Sequence, residues 1–508
     1  MLELLGTGIV DIFQLKYLIP LALGTLVGVV GGAMPGITNT MAVIMVLPFT
    51  FGLEPLQGLA AMVGVYVGGE SGGLITSTLI GIPGKPSSIS TTFDGFPMAK
   101  NGEPGRAVWL GIWASFWGGL LGGVFLVAAT GPLARIALQF GPWEFFSLFV
   151  FALSMVAGLT EGALLKGLLS GALGLVITVI GMDPIMSTPR FTGGTEFLRN
   201  GLPFLPVLIG IFAFAQIMTD VEKMGRRDVA AGQEIVTPDL RVSHLKVNAE
   251  ILLKPFQLLW STLVGLLIGV LPAIGGSAAS VMAYDQAKKF SKTPERFGKG
   301  APEGIVASEA SNNANVGGSL VTIMAFGIPG DAVTAVMLGA MTIHGIQSGP
   351  LFITQKPELA YGIFAAYLVA HFLMVLIMLV GVRWFLRIVT VPKAILIPVI
   401  LVLCVVGAFA LNNTMNEVHV LTLFGLVGYV LVKFRFPLAP LILGVILGDQ
   451  IEVNLVRALM TDADPWLFVT RPISAFLIAC AIASVVFALL QHHRHRARGA
   501  ARQANVDF

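Results

Sequence analysis

The sequence predicts an all-α polytopic membrane protein. Two homologous repeats, inverted in the bilayer and carrying broken helices or re-entrant hairpins, would supply about 12 transmembrane segments. Three observations predict this: a charge content too low for a water-facing surface, a series of long apolar runs, and an internal duplication. Of 508 residues, 55% are hydrophobic and 12% charged, where a soluble domain has about 25% charged. Mean hydropathy is +0.85. Such a composition excludes a soluble multidomain enzyme, and its apolar content excludes disorder. The 60 glycines suit close helix packing in lipid. Cys404 and Cys480 both lie in apolar runs, so neither a disulfide framework nor a metal cluster is expected. A net charge of +3 is too small for nucleic-acid binding.

A bilayer crossing needs about 20 apolar residues. Candidate runs lie near 17–34, 55–82, 106–130, 142–158, 162–182, 201–218, 255–274, 302–327, 331–347, 358–386, 392–411, 418–433, 436–449 and 471–490. Several are short or interrupted, hence the re-entrant pieces. The first run has no basic segment before it and no small-residue cleavage site after it, so it reads as part of the fold and not as a signal peptide. Segment 220–254 carries Lys223, Arg226, Arg227, Arg241 and Lys246 among acids, and the tail after Leu490 reads QHHRHRARGAARQ. The positive-inside rule puts both in the cytoplasm. For the tail, lipid or nucleic-acid binding stands as the alternative to a plain topology anchor. The expected organisation is a first repeat at 1–219, a polar cytoplasmic linker at 220–254 and a second repeat at 255–452. An extra span at 453–491 and a basic cytoplasmic tail at 492–508 follow.

The duplication is the most informative feature. GTLVGVVGGAMPGI at 24–37 matches STLVGLLIGVLPAI at 261–274, with Pro35 on Pro272, an offset of 237 (272 minus 35). GGLITSTLIGIPG at 72–84 matches GSLVTIMAFGIPG at 318–330, with Pro83 on Pro329, an offset of 246 (329 minus 83). LPFLPVLIGIFAFAQI at 202–217 matches FPLAPLILGVILGDQI at 436–451, an offset of 234 (436 minus 202). Three blocks in one order at nearly one offset make two related halves. With linker and tail on the same side, the extra span gives each half an odd number of crossings, which favours inversion.

The tetrapeptide Gly-Ile-Pro-Gly occurs at 81–84 and again at 327–330. Pro removes an amide donor and Gly relaxes the backbone, so a helix meeting this sequence breaks or turns. Irregular backbone at membrane depth is tolerated only where protein or a wet cavity satisfies it. Matched breaks in two halves therefore point to a midplane binding site. Pro35-Gly36 and Pro272-Ala273 follow the same logic. Helix N-termini at such breaks suit carboxylates, and exposed carbonyls suit Na⁺.

Side chains near the breaks can bind ions without a buried charge. They are Thr38, Asn39, Thr40, Ser87, Ser88, Ser90, Thr91 and Thr92, with Ser311, Asn312, Asn313 and Asn315 ahead of the second tetrapeptide. For any single Ser or Thr, helix packing is the competing explanation. Three Asn together in an apolar setting demand a polar cavity. Glu70, Lys85, Asp94, Glu309, Asp331, His344 and His371 lie in or beside apolar segments, where charge is costly. Lys85 and Asp331 directly follow the two tetrapeptides, so each could line the cavity or mark a hairpin tip. The two histidines read more simply as groups satisfied by neighbouring helices.

Enzyme readings fail. Leu79 stands where a phosphate loop needs its first Gly, and Pro86 follows the Lys. There is no HExxH helix, no Cys/His ligand spacing, and no Ser, His and Asp set selectable by spacing. No catalytic residue and no resident cofactor or metal are expected. A gradient-independent channel and an intramembrane enzyme remain as rival classes.

Four stretches resemble the large permease subunit of the tripartite tricarboxylate transporters, a bacterial and archaeal family. They are GVVGGAMPGITNTMAVIMVLP (28–48), YVGGESGGLITSTLIGIPGKPSSISTTFDGFPMAKNGEPGRA (66–107), PEGIVASEASNNANVGGSLVTIMAFGIPGDAVTAVMLGAMTIHGIQSGPLF (302–352) and the Pro-rich block 436–451. DGFPMAKNG and EASNNA…GIPG are the most specific. The chain departs from the family pattern at 321–326 and at Ser348. The resemblance implies a three-part importer in the bacterial inner membrane. A periplasmic solute-binding protein and a small four-helix membrane subunit would accompany this chain, and the C-terminus would be cytoplasmic. It also implies organic carboxylate substrates and coupling to Na⁺ or H⁺. On this reading Thr38, Asn39, Gly84, Lys85, Ser87, Ser88, Gly330 and Asp331 surround the substrate, while Ser311, Asn312, Asn313 and Asn315 hold the cation.

Overall fold

The computed structural model describes the backbone of residues 2–158, 164–223, 239–272, 274–388 and 391–504. Residues 224–238 of the linker 220–254, and Ala273 of the second Pro-containing break, lie outside the described residues, as do the side chains of the basic tail. In the first half the helices are α1 (Leu2–Ile12), α2 (Leu15–Ala33), α3 (Asn39–Thr50), α4 (Pro55–Leu79), α5 (Ile89–Lys100), α6 (Pro104–Ala137), α7 (Pro142–Gly158) and α8 (Leu164–Thr178). A small hairpin of β1 (Gly181–Met182) and β2 (Pro189–Arg190) precedes α9 (Glu196–Arg199), α10 (Phe204–Ile209) and α11 (Ala215–Lys223). Then come α12 (His244–Leu252), α13 (Pro255–Val270), α14 (Gly275–Phe290), α15 (Pro302–Phe326), α16 (Ala332–Ile343), α17 (Pro350–Gln355) and α18 (Pro357–Ile388). The chain ends with α19 (Lys393–Asn412), α20 (Met415–Lys433), α21 (Leu438–Thr461), α22 (Leu467–Thr470) and α23 (Pro472–Ala504).

The protein is an all-α polytopic membrane protein. Among the described residues nine helices are long and apolar enough to cross a bilayer, or ten if α12 and α13, bent by 78°, count as one span. The expected figure was about 12. The difference has a physical source. The polar run from Ser308 to Asn315 lowers the hydropathy of α15, although its 25 residues are buried through almost their whole length. At 1.5 Å per residue such a helix is roughly 37 Å long, enough to cross. The predicted runs 142–158, 162–182 and 331–347 end as short apolar helices, Pro142–Met155, Leu164–Thr178 and Ala332–Ile343, and Asn39–Thr50 is another, in a segment where no run was expected.

The residues cluster into two compact units. One comprises 1–137 with 217–413, the other 138–216 with 414–508, so each unit draws on both halves of the sequence. In the first unit α2 packs on α4 through bare backbone. A Cβ on Gly28 would stand 2.3 Å from the Val65 carbonyl oxygen, and one on Gly32 would stand 2.4 Å from that of Gly69. α13 packs on α15 the same way, with Gly265 at 2.2 Å from the Ser311 oxygen and Gly269 at 2.3 Å from that of Asn315. These glycines and carbonyls stand at the 237 and 246 offsets already seen in the sequence. Contact this close yields dispersion and Cα–H···O attraction where lipid leaves no hydrophobic drive between helices.

Both long helices end alike. Gly81 follows α4 at φ 74° and Gly327 caps α15 at φ 73°, a left-handed conformation that side chains resist. The chain then folds back, so that Gly84 faces the Gly32 carbonyl and Gly330 faces that of Gly269. Each tetrapeptide is thus seated beside the other break of its own half.

In the second unit α8 and α21 meet at Gly174 and Gly444, and Arg471 bonds Glu144 at 2.5 Å. Arg190 of the hairpin binds Glu452 through both carboxylate oxygens. Residues 210–214, between α10 and α11, are wound as a π-helix, and Gly210 abuts the Leu421 carbonyl. The linker's described end is ordered. α12 lies on α6, where Trp109 donates to the Leu240 carbonyl and Trp117 to Asn248.

Candidate functional site

The first unit holds a buried polar cluster built on one turn of α4. Glu70 projects from that turn and gathers groups from three other segments. Lys85, just past the first tetrapeptide, forms a buried ion pair with it. Ser87 donates to the same carboxylate at 3.1 Å, and Asn39, at the start of α3, donates to its other oxygen at 2.8 Å. Asn312 of α15 donates to the Glu70 main-chain carbonyl at 3.0 Å. One turn earlier, the Tyr66 hydroxyl bonds Asp331, the residue just past the second tetrapeptide. The two matched turns are therefore tied to adjacent levels of a single helix.

A second helix start faces the cluster. α14 begins at Gly275-Gly276 without a side-chain cap. A Cβ on Gly276 would stand 2.5 Å from Asn312 Oδ1 and 3.5 Å from Glu70 Oε2. Asn312 Oδ1 is fully buried and has no hydrogen-bond partner among the described residues, and the same holds of Asn39 Oδ1 and Asn315 Oδ1. Buried amide oxygens left open in this way are costly unless a ligand or ion meets them. Uncapped N–H groups at a helix start attract anions, and amide and carboxylate oxygens attract cations. The cluster offers both.

The residues singled out in the sequence divide as follows. Asn39, Lys85, Ser87 and Asn312 converge on Glu70. Asn313 lies on the next face of α15, accepting from Ser71 at 3.0 Å and donating to the Glu309 carbonyl at 3.2 Å. Gly84 and Gly330 act through close backbone contact. Ser88 is buried against Gly73. Thr38 and Asp331 cap α3 and α16, accepting from the amides of Met41 and Thr334 at 3.2 and 2.8 Å. Those two helix starts therefore satisfy part of their own N–H set, whereas the start of α14 has no side-chain cap. The Ser311 hydroxyl bonds its own helix at Ser308, 3.0 Å away.

Asp94 is a strap: Gly298, Gly300 and Ala301 amides each reach its Oδ1 at 2.8 Å, and Tyr284 reaches Oδ2 at 2.9 Å. His371 meets the Tyr367 carbonyl of its own helix at 2.9 Å. Tyr66 escaped the sequence reading, because an aromatic residue in an apolar helix reads as core. The 246 offset could have flagged it, since it sets Tyr66 against Asn312 and Lys85 against Asp331. Among the described residues no group of three or more His, Cys, Asp or Glu is placed to hold a metal.

Fold and site together define a multi-pass membrane protein with a polar centre between broken helices. The sequence profile of the Tripartite tricarboxylate transporter TctA family matches residues 18–443. The chain belongs to that family, which gives it a role in transport and points away from enzyme catalysis. It is 34% identical over 475 residues to an uncharacterized 52.8 kDa protein in the TAR-I ttuC' 3' region of Agrobacterium vitis, covering 93% of each chain. It is also 36% identical over 233 residues to an uncharacterized protein in the TAR-II ttuC' 3' region of the same organism, covering 46% of this chain and 96% of that one. No solved structure matches the chain.

Proposed function

We propose that this chain is the large membrane permease subunit of a binding-protein-dependent secondary transporter that imports organic carboxylates, of di- or tricarboxylate type, coupled to Na⁺ or H⁺. It works in the bacterial inner membrane with a small four-helix membrane subunit and a periplasmic solute-binding protein. Family membership supports the transport role. The observation that carries the mechanism is the meeting of both broken segments on Tyr66 and Glu70. The uncapped start of α14 and the Lys85 side chain form the anion-attracting side. The open oxygens of Asn312 and Asn315, with Asn313 beside them, form the cation-attracting side. Lys85 is neutralised by Glu70 here, so an arriving carboxylate competes with Glu70 for it. That exchange gives substrate a differential hold on two arrangements of the same helices, as a conformational step requires. Movement of one repeat-built portion against another then carries the site across.

The test is counterflow and accumulation of labelled succinate and citrate in vesicles holding the chain with its partner subunits and binding protein, with and without Na⁺ or a pH gradient. We expect Asn312→Ala to abolish ion-coupled uptake while the protein still reaches the membrane; uptake at the wild-type level would refute the site. Accumulation that survives collapse of every ion gradient would instead favour a passive facilitator.

A further inference from the structure

We propose that Glu309 is a proton-carrying group of this protein, so that H⁺ takes part in the coupling. This rests on the transport reading above and adds a proton to the cation side formed by the Asn oxygens. Glu309 lies on α15 and is fully buried. Thr91 Oγ1 donates to its Oε1 at 2.5 Å, and Ser115 Oγ donates to its Oε2 at 3.0 Å. Each hydroxyl sits directly on a carboxyl oxygen, so the carboxyl group is framed by two hydrogen bonds whose partners can donate to its anion or accept from its acid.

Among the described residues no cation pairs with Glu309. Around it, α4 brings Tyr66 and Glu70, and Lys85 is already paired with Glu70. α5 brings Asp94, held by three amides and Tyr284, and Lys100 in its last turn, whose ammonium lies over the Phe96 ring. α6 brings Arg106, which pairs with Glu103 and Glu250, and Arg135 at its far end. α13 brings no titratable group. α14 brings Tyr284, Asp285, Lys288 and Lys289, of which Asp285 and Lys289 pair with each other. α15 adds Glu303, paired with Lys254. The start of α16 brings Asp331, bound to Tyr66. α18 brings Tyr367, bonded to the Asn313 carbonyl, and His371, bonded to Tyr367.

A carboxylate so placed is costly without a proton. Uptake forms one O–H bond and cancels one charge, and a hydroxyl of Thr91 or Ser115 turns a lone pair toward it. Release restores the carboxylate, with no redox change. The state of Glu309 reaches the main cluster by two routes. Thr91 stands three residues after Ser88 at the first tetrapeptide turn. Asn313, one turn along α15, joins the Glu309 carbonyl to Ser71, the neighbour of Glu70.

The test has two arms. Infrared difference spectra of the purified chain in lipid, taken across an acid step, should show a carboxyl C=O band that is missing in Glu309→Gln and shifted in Ser115→Ala. In vesicles with the partner subunits, Glu309→Gln should keep counterflow of labelled succinate or citrate and lose accumulation driven by a pH gradient. Superimposable wild-type and Glu309→Gln spectra, or undiminished accumulation in that variant, would overturn the proposal. Should Glu309→Gln fail to fold, a band unmoved by Ser115→Ala would overturn it. Absence of counterflow in the wild type would sink the transport reading itself and the coupling claim with it.

Discussion

Glu70 and Lys85 make the most consequential pair in the protein, because both are nearly shut off from solvent. Removing one partner strands the other in an apolar interior, at a cost of about 3–5 kcal/mol, whereas removing both together is far milder. We therefore expect Glu70→Gln or Lys85→Met alone to lower thermal stability in detergent sharply. The double variant should regain much of that stability and still fail to transport. A double variant no more stable than the singles would contradict this account. Much of the cluster was legible in the sequence, since Asn39, Lys85, Ser87 and Asn312 are polar groups in apolar surroundings, where each needs a reason. The partners of Glu309 were not. Thr91 is 218 residues from it and Ser115 is 194 residues from it. Distances of that kind come from helix packing, and no local pattern encodes them.

At the scale of helices, close approach at Gly28 and Gly265 holds each long buried helix against its partner. Even a methyl group at either position would collide with rigid main chain, so α2 or α13 must shift outward. Overpacking of this kind costs about 1–3 kcal/mol. We expect Gly28→Ala and Gly265→Ala each to lower the melting temperature and the membrane yield. Gly6→Ala, with open space around its added carbon, should change neither. Equal stability of all three would show that the helix contacts matter less than their geometry suggests. The breaks were readable because Gly and Pro act locally on the backbone. The course of α15 was also readable, as the run 302–327, although its polar residues weaken the apolar signal of a span. The β1–β2 hairpin left no signal: two-residue strands are too short to show alternation.

Considered whole, the molecule is divided in one way by its sequence and in another by its contacts. The matched sequence blocks follow chain order, while each compact unit draws on residues from both halves of the sequence. Helix packing decides the second division, so it could not be read from block order alone. Sidedness is a separate matter, set by where Lys and Arg collect. We expect reporters fused after residue 508 and inserted near residue 230 to register on the cytoplasmic face. Opposite faces for the two reporters would remove the odd crossing count on which inversion depends.

One helical turn, from Tyr66 to Glu70, is gripped by both tetrapeptide segments. Two half-sites sharing a single support cannot fill independently. The chain should then bind its cargo with a stoichiometry of one, and a calorimetric titration should saturate at one equivalent per polypeptide.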